Sequence, residues 1–287
     1  MKTLFFWTAL TFAGLSAAWA APLEILGFET PESVLYDAQA DIYLVSNING
    51  NPTSKDNNGF ISQVSPDGQI LSSRWIAGGT NGVTLHAPKG TAIVGDLLYV
   101  ADIDTVRLFD RKTGQFLRDV VIQESSFLND LVADAQGNVY VSDSGLRSDF
   151  SPSGTDAICK IAPDDQVTVL ASGKSLAQPN GLLVQQDGTL LVAPMASNEL
   201  YRVGENGREE GSFVRLPGGD LDGLVQVGSG YLVSSWATHS ILQVSGTGEV
   251  TVLLGSLSSP ADIGHDQKRN RLLIPLVEEN SVVLLDL

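Results

Sequence analysis

Cysteine is almost missing. Cys159 is the only one in 287 residues, so no disulfide can form within the chain, and stability has to come from packing, with or without a bound ion. Histidine is scarce as well: His86, His239 and His265 share no position in any repeating pattern, which argues against a histidine metal centre. Basic residues are outnumbered, 17 Lys and Arg against 33 Asp and Glu, for a formal net charge of −16. Such a surface repels phosphate backbones and anionic lipids and favours cations or neutral small molecules, so nucleic acid is excluded as a partner. Helical periodicity is nearly absent, because apolar residues alternate or cluster in short runs bounded by turns such as Asp67-Gly68, Gly137-Asn138 and Asp187-Gly188. The sequence also lacks a Gly-x-Ser-x-Gly elbow and a phosphate-loop signature.

One long apolar run exists, at residues 4–18. It follows Lys2 and precedes Ala18-Trp19-Ala20, the order of charged, apolar and cleavage regions in a secretory signal peptide. It falls short of the roughly 20 apolar residues a membrane span requires. The expectation is a signal peptide over residues 1–20, cleaved after Ala20, and a single domain over 21–287. That domain is expected to be periplasmic or secreted, monomeric and free of the membrane after cleavage.

What the sequence does contain is repetition. A short anchor, an apolar strand, a turn and a second strand recur six times. The anchors are Pro31-Glu32-Ser33, Pro88-Lys89-Gly90, Leu128-Asn129-Asp130, Pro179-Asn180-Gly181, Leu221-Asp222-Gly223 and Ala261-Asp262-Ile263, with second strands at 42–46, 98–102, 139–143, 190–193, 231–234 and 272–275. Six copies at a period of roughly 40 to 57 residues predict an all-β, six-bladed β-propeller. A lone blade would expose its edges and one bare face, so the ring has to close. Residues 23–28 read as a strand before the first anchor and are expected to complete the last blade beside residues 282–287.

In a propeller the innermost strand of each blade lines the central channel, so the residue just before it sits at the channel mouth. In chain order that ring reads Glu32, Lys89, Asn129, Asn180, Asp222 and Asp262. Five of these six can offer an oxygen, and converging carboxylate and amide oxygens are what a hard divalent cation such as Ca²⁺ selects. A polar ring solvated by channel water is the plainer alternative. Lys89 admits two readings. It holds a substrate carboxylate or a developing oxyanion, or it bridges Glu32, Asp222 and Asp262 and takes the metal's place.

The phrases around Glu32, Asn129, Asn180 and Asp222, in this order on six repeats, resemble the gluconolactonase and regucalcin family, also called the senescence marker protein family. The resemblance covers essentially the whole of residues 21–287. It implies a Ca²⁺-dependent hydrolase of lactones or related esters, acting on a small-molecule substrate. Carried onto this chain, it makes Glu32, Asn180 and Asp222 metal ligands, Asn129 a fourth ligand or a substrate contact, and Asp222 also the general base. Lys89 departs from the family pattern and joins Asp222 and Asn129 as a candidate for the chemistry. A non-catalytic propeller that binds a ligand or protein is the competing reading.

Asp102 and Asp143 end second strands, where they either orient ligands or, as such residues more often do, hold a turn. Two long connections, residues 47–59 and 144–156, leave on the anchor side and are placed to roof a pocket.

Overall fold

The computed structural model describes residues 22–209 and 211–287; the expected signal peptide at 1–20, and Ala21 after it, lie outside the described residues. Six small antiparallel sheets follow one another in chain order and make a six-bladed β-propeller. The first blade is Pro31–Asp37, Ile42–Asn47, Phe60–Val64 and Ile70–Ala77. The second is Pro88–Val94, Leu97–Asp102, Thr105–Asp110 and Phe116–Val121, and the third is Leu128–Ala133, Val139–Asp143, Ala157–Ile161 and Val167–Ser172. The fourth has inner strands Pro179–Val184, Leu190–Pro194 and Glu199–Gly204, and an outer edge in two short pieces, Gly207–Arg208 and Val214–Arg215, that both pair with its third strand. The fifth is Leu221–Val227, Gly230–Ser235, Ser240–Val244 and Val250–Gly255. In the sixth, Gly264–Asp266, Arg271–Leu276 and Ser281–Asp286 are joined by Leu23–Leu26, which pairs antiparallel with Ser281–Asp286 from Leu23 opposite Leu284 to Leu26 opposite Ser281. The only helical element among the described residues is the 3-10 turn Lys174–Leu176. None of the described helices is long and apolar enough to cross a membrane.

Alternation along the strands puts apolar side chains on both faces of each sheet, so among the described residues the core forms six clusters between neighbouring blades and a small seventh of Ile48, Ala87 and Ile103. Leu44, Ile61 and Ile76 of the first blade meet Leu98, Val100 and Phe109 of the second. Ile25 and Val282 of the sixth meet Val34 and Val45 of the first. Cys159 belongs to the cluster between blades two and three, beside Tyr99, Leu108 and Val141; it is 3% exposed, and burial pushes its thiol up to about 11.

Five of the six inner strands start with a bulge at the anchor. In the first blade, for example, the register shifts between Pro31 and Ser33, and matching shifts occur after Pro88, Leu128, Pro179 and Leu221. A bulge puts an extra residue on one strand and re-aims its side chain, and here it leaves the central anchor residue unpaired at the channel mouth. Serine hydroxyls satisfy the amides this frees: Ser46 Oγ accepts from Ser33 N, Ser142 Oγ from Asp130 N and Ser234 Oγ from Gly223 N, at 2.7–3.0 Å. The residue after the central one meets the neighbouring blade. A Cβ on Gly181 would overlap the Asp222 carbonyl oxygen, and one on Gly223 the Ile263 amide nitrogen. Glycine at these two places lets the blades approach closely enough to bring Asn180 and Asp222 to one mouth.

The sixth anchor differs from the sequence reading by one residue. Pro260 bridges Leu276 and Gly264 pairs with Leu273, which makes Pro260 the counterpart of Pro31 and places Ala261, not Asp262, opposite Glu32 in the repeat. The residues just before Pro31, Pro179, Leu221 and Pro260 confirm the register: Thr30, Gln178, Asp220 and Ser259 all hold positive φ, between 47° and 57°. Asp262 therefore falls in the next layer down the channel, with Ser33 and Asp130. The mouth has four oxygen-bearing anchors rather than five, and with Glu32, Asp222 and Lys89 its formal charge is −1 rather than −2.

Candidate active site

Glu32, Lys89, Asn129, Asn180 and Asp222 line one cavity of about 390 Å³ at the anchor end of the channel. All five side chains are buried. The connections 47–59 and 144–156 both border the same cavity, through Ile48, Gly50 and Pro52 in the first and Leu146 and Phe150 in the second. A larger cavity of about 820 Å³ opens at the other end of the channel and is lined by Asp130, Asp262 and strand residues such as Leu35, Leu183 and Val225. None of the five oxygen- or nitrogen-bearing anchors reaches it, so size alone does not locate the chemistry.

Three buried oxygens in the smaller cavity have no hydrogen-bond partner: Glu32 Oε2, Asn180 Oδ1 and Asp222 Oδ1. Orphaned polar atoms at this depth are rare in folded proteins and carry a desolvation penalty. The rest of each side chain is tied down. Asn180 Nδ2 donates to the Leu221 carbonyl at 3.4 Å. Trp236 Nε1 donates to Asp222 Oδ2 at 3.0 Å. Asn129 Nδ2 donates to Ser144 Oγ at 3.0 Å, and that hydroxyl donates onward to the Pro179 carbonyl at 2.8 Å.

The carboxylates resist ionisation. Burial, then the charges of Asp222 and Asp262, hold the Glu32 carboxyl well above the usual range. Asp222 is pushed up to about 8, first by burial and then by Asp262, against the hydrogen bond of Trp236 and the nearby Asn180 carboxamide, which favour its charged form. Two acids held above their ordinary range beside unpartnered oxygens make a site that a positive charge would relieve.

Lys89 lowers the Glu32 pKa from a distance but pairs with neither carboxylate. Its Nζ donates to the Pro52 and Ala87 carbonyls at 3.2 Å each and lies 4.3 Å from the centre of the Phe127 ring. Among the described residues no carboxylate lies within ion-pairing distance of it. Burial holds its pKa below the usual lysine value, while Glu32, Asp102 and Asp143 act in the opposite sense.

The donor set fits a hard divalent cation. Glu32, Asn180 and Asp222 each present an unpartnered oxygen, and Asn129 lines the same cavity; oxygen donors of this kind suit Ca²⁺, with no histidine or thiol to favour zinc or copper. Among the described residues no group of three or more His, Cys, Asp and Glu side chains is arranged to hold a metal. The convergent set here instead pairs two carboxylates with carboxamides.

Asp102 and Asp143 hold turns. Asp102 accepts from His86 N and Ala87 N, and Asp143 from Ser126 N, Phe127 N and Gly145 N. Both carboxylates thus fix the loop that enters an anchor. His86 Nδ1 accepts from Asn57 N, and His239 and His265 stand away from the anchors. Sequence reasoning missed Trp236, Ser144 and Met195. The signal for Trp236 was a large aromatic directly after the second strand of the Asp222 blade; Ser144 and Met195 directly follow second strands in their own blades.

A family model described as the SMP-30/gluconolactonase/LRE-like region matches residues 31–262. Among solved structures, a provisionally assigned gluconolactonase superposes with a TM-score of 0.70 at 16% identity, covering 93% of this chain and 92% of that one. A gluconolactonase from Xanthomonas campestris gives 0.68 at 17%, covering 96% and 93%. A catalytically inactive variant of virginiamycin B lyase from Staphylococcus aureus, bound to quinupristin, gives 0.60 at 13%, covering 93% and 99%. At these identities the likeness is one of fold. No curated protein matches the chain by sequence.

Proposed function

Because the chain belongs to the SMP-30/gluconolactonase/LRE-like family, we propose that it is a divalent-cation-dependent hydrolase of small lactones or related esters, with Ca²⁺ as the ion. One observation carries this reading: three unpartnered buried oxygens, on Glu32, Asn180 and Asp222, border a single cavity. Those three residues would hold the ion, with Asn129 as a fourth ligand or a substrate contact. Bound there, the ion would polarise the substrate carbonyl and fix its orientation.

The remaining work belongs to the chain. Asp222 accepts the proton of the attacking water. The Trp236 N–H holds the carboxylate by Oδ2 and favours its charged form, which is the form a base needs. Ser144 fixes the carboxamide of Asn129. Lys89 has three N–H groups, of which two are taken by carbonyls; the third supports negative charge developing on substrate oxygen. The run of residues 1–20 supports an exported protein that works in the periplasm or outside the cell.

The test is elemental analysis of undialysed protein, followed by a panel of lactones and aryl esters with and without chelator. Calcium at about one equivalent and chelator-sensitive turnover are expected. Full activity in excess chelator would overturn the cation dependence.

A further inference from the structure

The walls of the 390 Å³ cavity differ sharply from its floor. Above the anchors stand Ile48, Pro52, Leu146, Phe150, Met195 and Val277. Phe150 lies at the tip of the 144–156 connection and is 52% exposed, an aromatic face that nothing in the chain covers. That tip is a folded turn: Phe150 N donates to the Arg147 carbonyl, Arg147 N to the Ser151 carbonyl, and Leu146 bridges Pro152.

Polar groups are confined to the floor, and several of its donors are committed. Asn129 Nδ2 donates to Ser144 Oγ and Met195 Sδ and Trp236 Nε1 to Asp222, while Asn180 Nδ2 and Lys89 Nζ each keep one N–H free. The deeply buried acceptors without a partner there are the three oxygens assigned to the cation. A sugar lactone brings four hydroxyls, each needing partners, into a cavity whose walls above the anchors are largely apolar. Buried hydroxyls without partners are disfavoured, and a hydrophobic pocket discriminates against added hydroxyls by about 10²-fold.

We infer that this cavity selects lactones or esters carrying an apolar substituent, and disfavours polyhydroxylated sugar lactones. The carbonyl end sits on the floor of Glu32, Asn129, Asn180 and Asp222, and the substituent lies against Leu146, Phe150 and Met195. Its volume equals that of roughly thirteen waters, enough for a small lactone ring with a short alkyl chain. The rate prediction rests on the hydrolase reading, whereas the binding prediction rests on the cavity alone.

The experiment compares δ-decalactone with δ-gluconolactone on the calcium-supplemented full-length protein, reading acid release and, separately, the shift in melting temperature at equal ligand concentration. The expected kcat/KM ratio favours δ-decalactone by at least about 10²-fold. Phe150→Ser, a change at an exposed tip, should narrow that ratio about tenfold through KM with kcat kept, as loss of an apolar contact surface predicts. If neither compound is hydrolysed with calcium present, the hydrolase reading fails, and the melting shift still decides the inference. A shift with δ-decalactone alone supports it. A larger shift with δ-gluconolactone, a kcat/KM ratio near one, or a Phe150→Ser variant with an unchanged ratio would overturn it.

Discussion

Trp236 donates its indole N–H to Oδ2 of Asp222 at 3.0 Å, and Oδ1 of the same carboxylate is left without a protein partner. One oxygen is held and the other is offered. The held oxygen sets the angle of the carboxylate, and the offered one faces a cavity shared with Glu32 and Asn180.

Asp222→Asn keeps the shape of the side chain and removes the base. Turnover on the best lactone should fall by about 10²-fold or more, while the calcium-induced rise in melting temperature is largely kept. Trp236→Phe should act more mildly, lowering kcat about tenfold by loss of a hydrogen bond to a charged group. It should also move the acid limb of the rate profile to higher pH, because the indole N–H favours ionised Asp222. A profile that stays in place would mean that Trp236 only packs.

Removing the cation should weaken the fold. A ligand that binds only the folded state adds about 4 kcal/mol when present at a thousandfold its Kd, or roughly 10 °C for a domain of this size. Differential scanning calorimetry with chelator and then with excess calcium should show that span. Glu32→Gln and Asn180→Ala should each shrink it. Lys89→Met should leave it intact or enlarge it, since the formal charge at the mouth then falls from −1 to −2. A melting curve indifferent to chelator and calcium would remove the cation from the mechanism.

Stability of the calcium-free protein should rise on acidification. Asp262 is pushed up to about 7, chiefly by burial, from an ordinary value of 3.8. Folding therefore takes up a proton between those two values. The stabilisation is fully present below about pH 4 and is lost as pH rises through about 7. Asp262→Asn should reduce this dependence, which Glu32 and Asp222 share because they are raised in the same sense, and stabilise the chelated protein at pH 8. The gain should be about 1–3 kcal/mol, since a tenfold change in proton affinity carries about 1.4 kcal/mol and Asp262 is only partly shielded from water. Urea unfolding at pH 5 and pH 8 measures it, and an unchanged slope in the variant would contradict the assignment.

The strand Leu23–Leu26 should matter out of proportion to its four residues. Deleting residues 22–28 uncovers the edge of Ser281–Asp286 and removes Ile25 and Phe28 from the core, where both are buried. Losing two such side chains is worth roughly 3–6 kcal/mol, a fall of about 10 °C or more, and the bare edge invites association. Melting curves and light scattering should report both effects. A deletion variant as soluble and heat-stable as its parent would show that the sixth blade does not need this strand.

The blades were legible because a repeat announces itself by its period, and Glu32, Asn129, Asn180 and Asp222 were legible because each occupies the same place in that period. The sixth anchor was misplaced for a physical reason. Asp262 is polar, as a mouth residue should be, but position in the repeat is set by backbone, and the backbone marker is the positive-φ residue Ser259 followed by Pro260. Polarity pointed to one residue and chain geometry to its neighbour. Trp236 and Ser144 stayed hidden because they reach Asp222 and Asn129 from the far ends of second strands. The partners of Lys89 are main-chain carbonyls of Pro52 and Ala87, and a sequence does not encode which carbonyl a lysine will meet.

The solitary thiol buried between blades two and three turns into a clock. Cys159 is protonated at neutral pH and shut away from solvent, so a reagent that consumes thiolates gains access only while those two blades are parted. Labelling that saturates with reagent concentration would count openings per second, and labelling that stays proportional to it would give the fraction of time spent open. With no second cysteine to confuse the signal, the breathing of one seam in the ring can be timed without introducing a foreign probe.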